Sequence, residues 1–164
     1  MNRRFFLTLA ALGLTLAQSV ATYAADDAVI LTVNDLRSGQ TTTFTDAELL
    51  ALPQQSFETT TIWTDTTPKS FSGPALMAVL KAAGSAPGTL RIHAINDYNV
   101  TFPEERLEDT VPILANRIDG APFPLREKGP LWLVFPYDID TRFQSEEYFT
   151  LSVWQLKQID ILAE

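Results

Sequence analysis

The sequence predicts an α+β domain, mixed β-sheets with short helices among them, and three observations carry that prediction. First, Gly129-Pro130-Leu131-Trp132-Leu133-Val134-Phe135-Pro136 sets an apolar run between turn residues. A run that short, aromatic and sharply bounded is a strand buried on both faces, not a core helix. Leu131, Leu133 and Phe135 point to one side and Trp132 and Val134 to the other, so both sides need cover. Second, Leu90 to Ile95 alternates apolar with polar, the pattern of a half-buried strand. Third, the clearest helical pattern is brief: Leu76, Val79, Leu80 and Ala83 share one face between Pro74 and Gly84. Strands interrupted by short helices, without regular strand–helix alternation, give an α+β order.

The chain begins with an address. Arg3-Arg4 supply a positive start, Phe5 to Leu16 an apolar run, and Thr22-Tyr23-Ala24 a small-residue cleavage site, with Ser19-Val20-Ala21 as a second cut. The run is too short to span a bilayer and no stop-transfer pattern follows, so residues 1–24 read as a secretory signal peptide. Arg3-Arg4-Phe5-Phe6-Leu7 also resembles the twin-arginine export motif; the short charged region favours an ordinary signal. The expected mature protein, residues 25–164, is a single periplasmic or otherwise exported domain, long enough for its own core.

Charge and cysteine content narrow its function. The full chain has 12 basic and 20 acidic residues, a net charge of -8; losing Arg3 and Arg4 with the signal leaves ten against twenty, or -10. Such a domain is repelled by phosphate backbones and anionic lipid, which excludes nucleic acid and membrane insertion after processing. There is no cysteine, so a disulfide scaffold, a thiolate metal site and a cysteine nucleophile are excluded.

In chain order, Val29 to Val33 is a first strand, Asn34 to Gln40 a turn, and Thr41 to Phe44 the returning partner. Thr45-Asp46-Ala47-Glu48 has capping-box spacing and opens a short helix through Leu49, Leu50 and Leu52 that stops at Pro53. Threonine-dense Phe57 to Trp63 is extended and Thr64 to Lys69 a polar loop. Ser72-Gly73-Pro74 opens the second helix, and Ser85 to Gly88 links it to the Leu90 strand. Asn96-Asp97-Tyr98 turns into Asn99 to Phe102, and Glu104 to Glu108 makes a helical turn after Pro103. Ile113 to Ile118 is a strand, Asp119-Gly120 a tight turn, and Pro122 to Lys128 a loop into the Gly129–Pro136 strand. An acidic and aromatic loop with Asp138, Asp140, Phe143 and Tyr148 then leads to a last strand, Trp154 to Leu162.

Few enzyme constellations survive inspection. His93, the single histidine, shares a strand face with Arg91 and Ile95, and no Gly-x-Ser-x-Gly elbow accompanies it, so it reads as a half-exposed sheet residue. Asp138-Ile139-Asp140 with Glu146-Glu147 lacks calcium-loop spacing and a glycine pivot, and reads as a solvated acidic loop. What stands out is aromatic: Trp63, Trp132 and Trp154 with Tyr98, Tyr137 and Tyr148, residues that serve cores and ligand pockets alike.

Taken together, four segments resemble the molybdopterin-binding domain of the sulfite oxidase family, in particular its small, single-domain exported members. Phe71-Ser72-Gly73-Pro74-Ala75-Leu76 is similar to that family's aromatic-x-Gly-x-x-Leu helix start. Asn96-Asp97-Tyr98 with Val100 and Pro103 resembles its Asp-x-Tyr turn, and Leu114-Ala115 with Asp119-Gly120-Ala121-Pro122 its Leu-Ala…Asn-Gly-x-Pro hairpin. Gly129 to Pro136, then Trp154 and Ile159, resemble its Gly-x-Pro-x-Arg-Leu-Val-x-Pro strand and terminal Trp…Ile strand. The resemblance implies that fold over residues 45 to 161.

The departures fall where the family does its chemistry. Its molybdenum-binding cysteine would stand at Thr60 or Thr61, and a threonine hydroxyl cannot replace a soft thiolate. The family's central-strand arginine is Trp132 here, and the lysine before the final tryptophan is Val153. Losing two cations removes charge-assisted contacts to a phosphate worth about 1.5–3 kcal/mol each. The expectation is a non-catalytic domain of this fold with no cofactor, binding a small ligand or a periplasmic partner protein at a vacated site. Thr61, Trp63, Asp97, Tyr98 and Trp132 are the ligand-binding candidates, gathered in one neighbourhood. The alternative is a true molybdopterin-dependent oxidoreductase with an unusual ligand set; a purely structural subunit without a pocket is a third reading.

Overall fold

A computed structural model describes residues 28–64 and 66–163; the expected signal peptide lies outside them. Ten strands and three short α-helices follow one another: β1 Val29–Asp35, β2 Gln40–Thr45, α1 Asp46–Ala51, β3 Gln54–Thr59, β4 Lys69–Pro74, α2 Leu76–Ala82, β5 Leu90–Ala94, β6 Asn99–Phe102, β7 Ile113–Ala115, β8 Arg117–Ile118, β9 Trp132–Val134, α3 Glu146–Leu151 and β10 Leu156–Ile161. The fold is therefore mixed α+β, with several sheets and few short helices. Among the described residues no helix is long and apolar enough to cross a membrane.

The largest sheet runs β2-β1-β10-β5-β6, antiparallel throughout except for the parallel β1–β10 pair. Its inner face carries Leu31, Val33, Leu90, Ile92, Ala94, Ile159 and Ile161, all buried. Arg91, His93, Gln158 and Asp160 occupy the outer one, as period-2 alternation requires. Two smaller antiparallel sheets, β3-β4-β8 and β7-β9, are tied together by a bridge from Ala75 to Ile113. The Leu131–Phe135 run is buried on both faces as expected. It is not the centre of the main sheet, however: β9 pairs with β7 on one side and bridges Trp154 through Trp132 on the other.

Capping chemistry at α1 follows the sequence closely. The Thr45 hydroxyl accepts from the Glu48 amide at 3.2 Å, and the Glu48 carboxylate accepts from the Thr45 amide at 2.8 Å.

Four expectations need correction. Phe71 to Pro74 is not a helix start but the end of β4, paired residue for residue with β3, and the helix begins at Leu76. The reason is Gly73: a Cβ there would stand 2.0 Å from the Leu114 carbonyl oxygen, so this glycine admits a neighbouring backbone instead of opening a helix. The Ile113–Ile118 run is two strands in different sheets, divided at buried Asn116, whose amide donates to the Ser72 carbonyl. The last strand begins at Leu156, because Gln155 takes a positive φ of 53° and detaches Trp154 from it. Finally, the acidic loop contains a helix, α3. Ser145 before it, Glu146 and Glu147 in its first turn, and buried Tyr148 and Leu151 at i, i+3 spacing were its signals.

Candidate functional site

Two clefts open on either side of the segment that follows β3. Thr59 and Thr60 fasten the start of this segment to the loop after β9. The Thr60 amide and hydroxyl donate to the Asp138 carboxylate at 2.6 and 2.9 Å, and the Asp138 amide donates to the Thr59 hydroxyl at 3.1 Å. Thr61 then makes the turn. Its hydroxyl oxygen accepts from the amides of Trp63 and Thr64 at 3.2 and 3.1 Å, a side-chain-directed turn that any extended reading of Phe57 to Trp63 overlooks. The chain reverses there, leaving Ile62 63% exposed and sending Trp63 inward.

Trp63 lands against two aromatic neighbours. Its ring stands edge-on to Trp132 and to Phe149 of α3, with centroids 6.0 Å apart in each case. Trp132 meets Phe71 edge-on at 5.5 Å and is fully buried. Its indole N–H has no acceptor, so the ring is held by packing alone. The Trp132 side chain thus fills interior space behind Trp63.

The first cleft, about 470 Å³, is lined by Trp63, Tyr98, Phe149 and Trp154, with Glu146, Thr150 and Ser152 of the α3 segment among its polar groups. Four separate parts of the chain meet there: the 61–64 turn, the β5–β6 turn, α3 and the bridge residue before β10. Tyr98 reaches across to α3, its hydroxyl donating to the Thr150 carbonyl at 3.1 Å. Beneath, the Ser152 hydroxyl donates to the Tyr148 carbonyl and shares a very short hydrogen bond with the Tyr137 hydroxyl. Burial pushes the Tyr137 phenol well above the ordinary tyrosine range, so it stays protonated and belongs to this structural chain.

The second cleft, about 620 Å³, lies across Ile62 and Phe149 and is lined by Thr60, Thr61, Thr64, Asp138 and Gln144. Its polar groups are engaged: Asp138 by Thr60, and Gln144 by the Tyr137 carbonyl at 2.7 Å.

The five candidates divide accordingly. Trp63 and Tyr98 share the first cleft, Thr61 borders the second, and Trp132 packs behind Trp63. Asp97 turns away, its side chain 97% exposed and 3.8 Å from the Lys157 ammonium. Trp132 and Tyr98 do not share a cleft; Trp132 borders a third one with Lys69, Asp119 and Lys128. Phe149, Glu146, Thr150 and Ser152 entered only with α3, the helix hidden in the acidic loop.

That loop is largely exposed, as read from the sequence, but several of its acids hold partners. Asp140 pairs with Arg142 at 2.8 Å, Glu147 with Arg106 at 2.8 Å, and Asp138 holds Thr60. Among the described residues no group of three or more histidine, cysteine or acidic side chains is placed to hold a metal ion. His93 is half-exposed on the outer sheet face, as read from the sequence. Its Nε2 lies 2.9 Å from Asp160, a partner that only the β5–β10 register reveals. Asn34 and Gln158 each donate to the other Asp160 oxygen at 2.8 Å, so the network is a cross-strand tie with no nucleophile in it.

No family model matches the chain, and no curated protein matches it either.

Proposed function

We propose that this chain is an exported, non-catalytic domain of sulfite oxidase-type fold that binds a small ligand in the cleft between Trp63, Tyr98 and Trp154. The observation that carries the reading is the cleft itself, an aromatic-walled space assembled from four distant parts of the chain. Concave, mostly apolar sites with a few fixed polar groups are how proteins hold small molecules.

The residues present do not fit a molybdenum–pterin group. At the expected ligand position Thr60 is committed to Asp138 and the Thr61 hydroxyl to the turn amides. A hydroxyl so engaged offers neither the charge nor the softness of a thiolate. Trp132 fills the interior where the resemblance implies an arginine for the cofactor's anionic part. Val153 is a buried hydrophobic residue where it implies a lysine. The resemblance and the N-terminal sequence support the reading of a periplasmic or otherwise exported domain.

The test is purification of the exported protein from its own host, followed by native mass spectrometry and elemental analysis. A retained organic ligand with molybdenum far below one atom per chain supports the proposal. Near-stoichiometric molybdenum or a released pterin sinks it and favours the oxidoreductase alternative.

A further inference from the structure

The lining of the Trp63–Trp154 cleft contains a single charged side chain, Glu146, and no lysine, arginine or histidine. Its neighbour Glu147 is neutralised by Arg106 at 2.8 Å, whereas the Glu146 carboxylate has no hydrogen-bond or ion-pair partner among the described residues. The hydroxyl groups and the Asn96 side-chain carbonyl at the site each make at least one hydrogen bond. The Tyr98 hydroxyl donates to Thr150, the Thr150 hydroxyl to the Glu146 carbonyl at 2.8 Å, and the Ser152 hydroxyl to Tyr148. The Asn96 side chain accepts from the Tyr98 amide at 3.3 Å. One uncommitted carboxylate therefore shares the lining with four aromatic side chains.

We infer that this cleft receives an organic cation carrying an alkylated ammonium group, with the aromatic rings around its methyl groups and Glu146 as its counter-ion. The inference rests on reading the chain as a small-ligand binding domain, and it names the ligand class. Aromatic faces attract cations through the ring quadrupole, tryptophan most strongly, and aromatic cages for methylated ammonium groups are built this way. A bare ammonium is a compact, strongly hydrated charge and must replace water at each N–H on entering. An alkylated one asks only for a counter-charge and apolar contact. Anions are opposed both by Glu146 and by the net charge of -8 on the full chain.

The walls are set before the ligand arrives. Trp63 is wedged edge-on between Trp132 and Phe149, and the Tyr98 hydroxyl is tied across to α3. Fixed aromatic walls lose little freedom on binding, so more of the contact energy appears as affinity.

The experiment titrates the mature protein with choline, with tetramethylammonium, and with 3,3-dimethylbutan-1-ol, the uncharged isostere of choline, by calorimetry. Choline should bind at least ten-fold more tightly than the isostere. Glu146→Gln, an exposed change checked by its melting temperature, should weaken choline at least five-fold, and Trp63→Leu or Trp154→Leu at least ten-fold. Equal binding of choline and the isostere overturns the cation class while leaving the binding domain intact. No binding of any of the three, with another small molecule captured at the same cleft, likewise overturns it alone. Failure of a broad small-molecule screen to perturb Trp63 or Trp154 in the wild type removes the binding-domain reading as well.

Discussion

Trp63 stands edge-on to Trp132, with ring centroids 6.0 Å apart and planes at 66°, so a half-buried indole closes the cleft in front of a fully buried one. The two tryptophans are neighbours in space with opposite duties. One lines the cleft, and the other supports it from within the core.

That division predicts opposite responses to truncation. Trp132→Ala removes a buried ring packed on Phe71 and Trp63 and should cost about 3–5 kcal/mol of stability. Trp132→Phe should cost far less, because it also deletes an indole N–H that is buried without an acceptor, a penalty of about 1–3 kcal/mol. Trp63→Leu keeps apolar cover over Trp132 and should cost stability little while weakening ligand. Urea unfolding of the three variants checks this; a Trp132→Ala protein as stable as wild type would show that the ring is not core.

Gly73 and Gly120 separate two reasons for a glycine. At Gly73 an added Cβ would lie 2.0 Å from the Leu114 carbonyl oxygen, where neither backbone can move without breaking the β4–β7 contact. Gly73→Ala should therefore cost about 3 kcal/mol by overpacking. Gly120 has open space around it but a φ of 78°, so Gly120→Ala should cost only about 1–2 kcal/mol of backbone strain. Thermal unfolding that ranks the two variants the other way round would contradict the close approach.

Acid stability should follow two aspartates. The Arg37 side chain, hydrogen-bonded to Asp35 at 2.8 and 3.0 Å, holds that carboxyl well below the usual range. Arg117, bidentate on Asp46 at 2.6 and 2.9 Å, lowers that one, with help from Asn116. A folded-state pKa below the unfolded value near 3.9 means the stabilisation is complete above about that pH and drains as pH falls through the lower folded values. The urea midpoint should therefore be level between about pH 7 and 5 and fall below about 4. In Arg117→Met the fall should be shallower, since Asp46 then titrates similarly in both states. An equally steep fall in the variant would assign the acid response elsewhere.

Processing is tested at the chain start. The mature exported protein should begin near Ala25, and N-terminal sequencing reads this directly. Recovery of residues 1–24 in the exported form would refute a cleaved signal.

Much of this fold was legible because local rules and burial agree. The Thr45–Glu48 box, the Leu90–Ala94 alternation and the doubly buried Leu131–Phe135 run each read the same in sequence and structure. Two of the misses share one cause: the deciding partner is far away in the chain. Gly73 looks like helix punctuation until the Leu114 backbone, which it admits, is placed beside it. Asp138 is exposed, as the acidic loop suggests, but its grip on Thr60 is invisible in the sequence. The aromatic composition pointed to a site, and Trp63 and Tyr98 do meet, but Asp97 left for solvent and Glu146 lay in an unread helix.

The last prediction concerns Thr61, which shapes the cleft from outside it. Its hydroxyl accepts from the Trp63 and Thr64 amides, and this pair of bonds bends the chain so that Trp63 faces inward. Thr61→Ser keeps the acceptor and should leave both amides protected from hydrogen exchange. Thr61→Ala removes it, leaves the Trp63 N–H without that acceptor and the Thr64 N–H on its longer bond to the Thr61 carbonyl at 3.4 Å, and should cost about 1 kcal/mol, with faster exchange confined to residues 63 and 64. Because the Asp138–Thr60 latch holds the segment's start independently, the global unfolding midpoint should move little. The turn, and with it the orientation of Trp63, should loosen locally and ligand affinity should drop. Unchanged exchange at both amides in Thr61→Ala would mean that the turn is held by the Asp138 latch and not by the Thr61 hydroxyl.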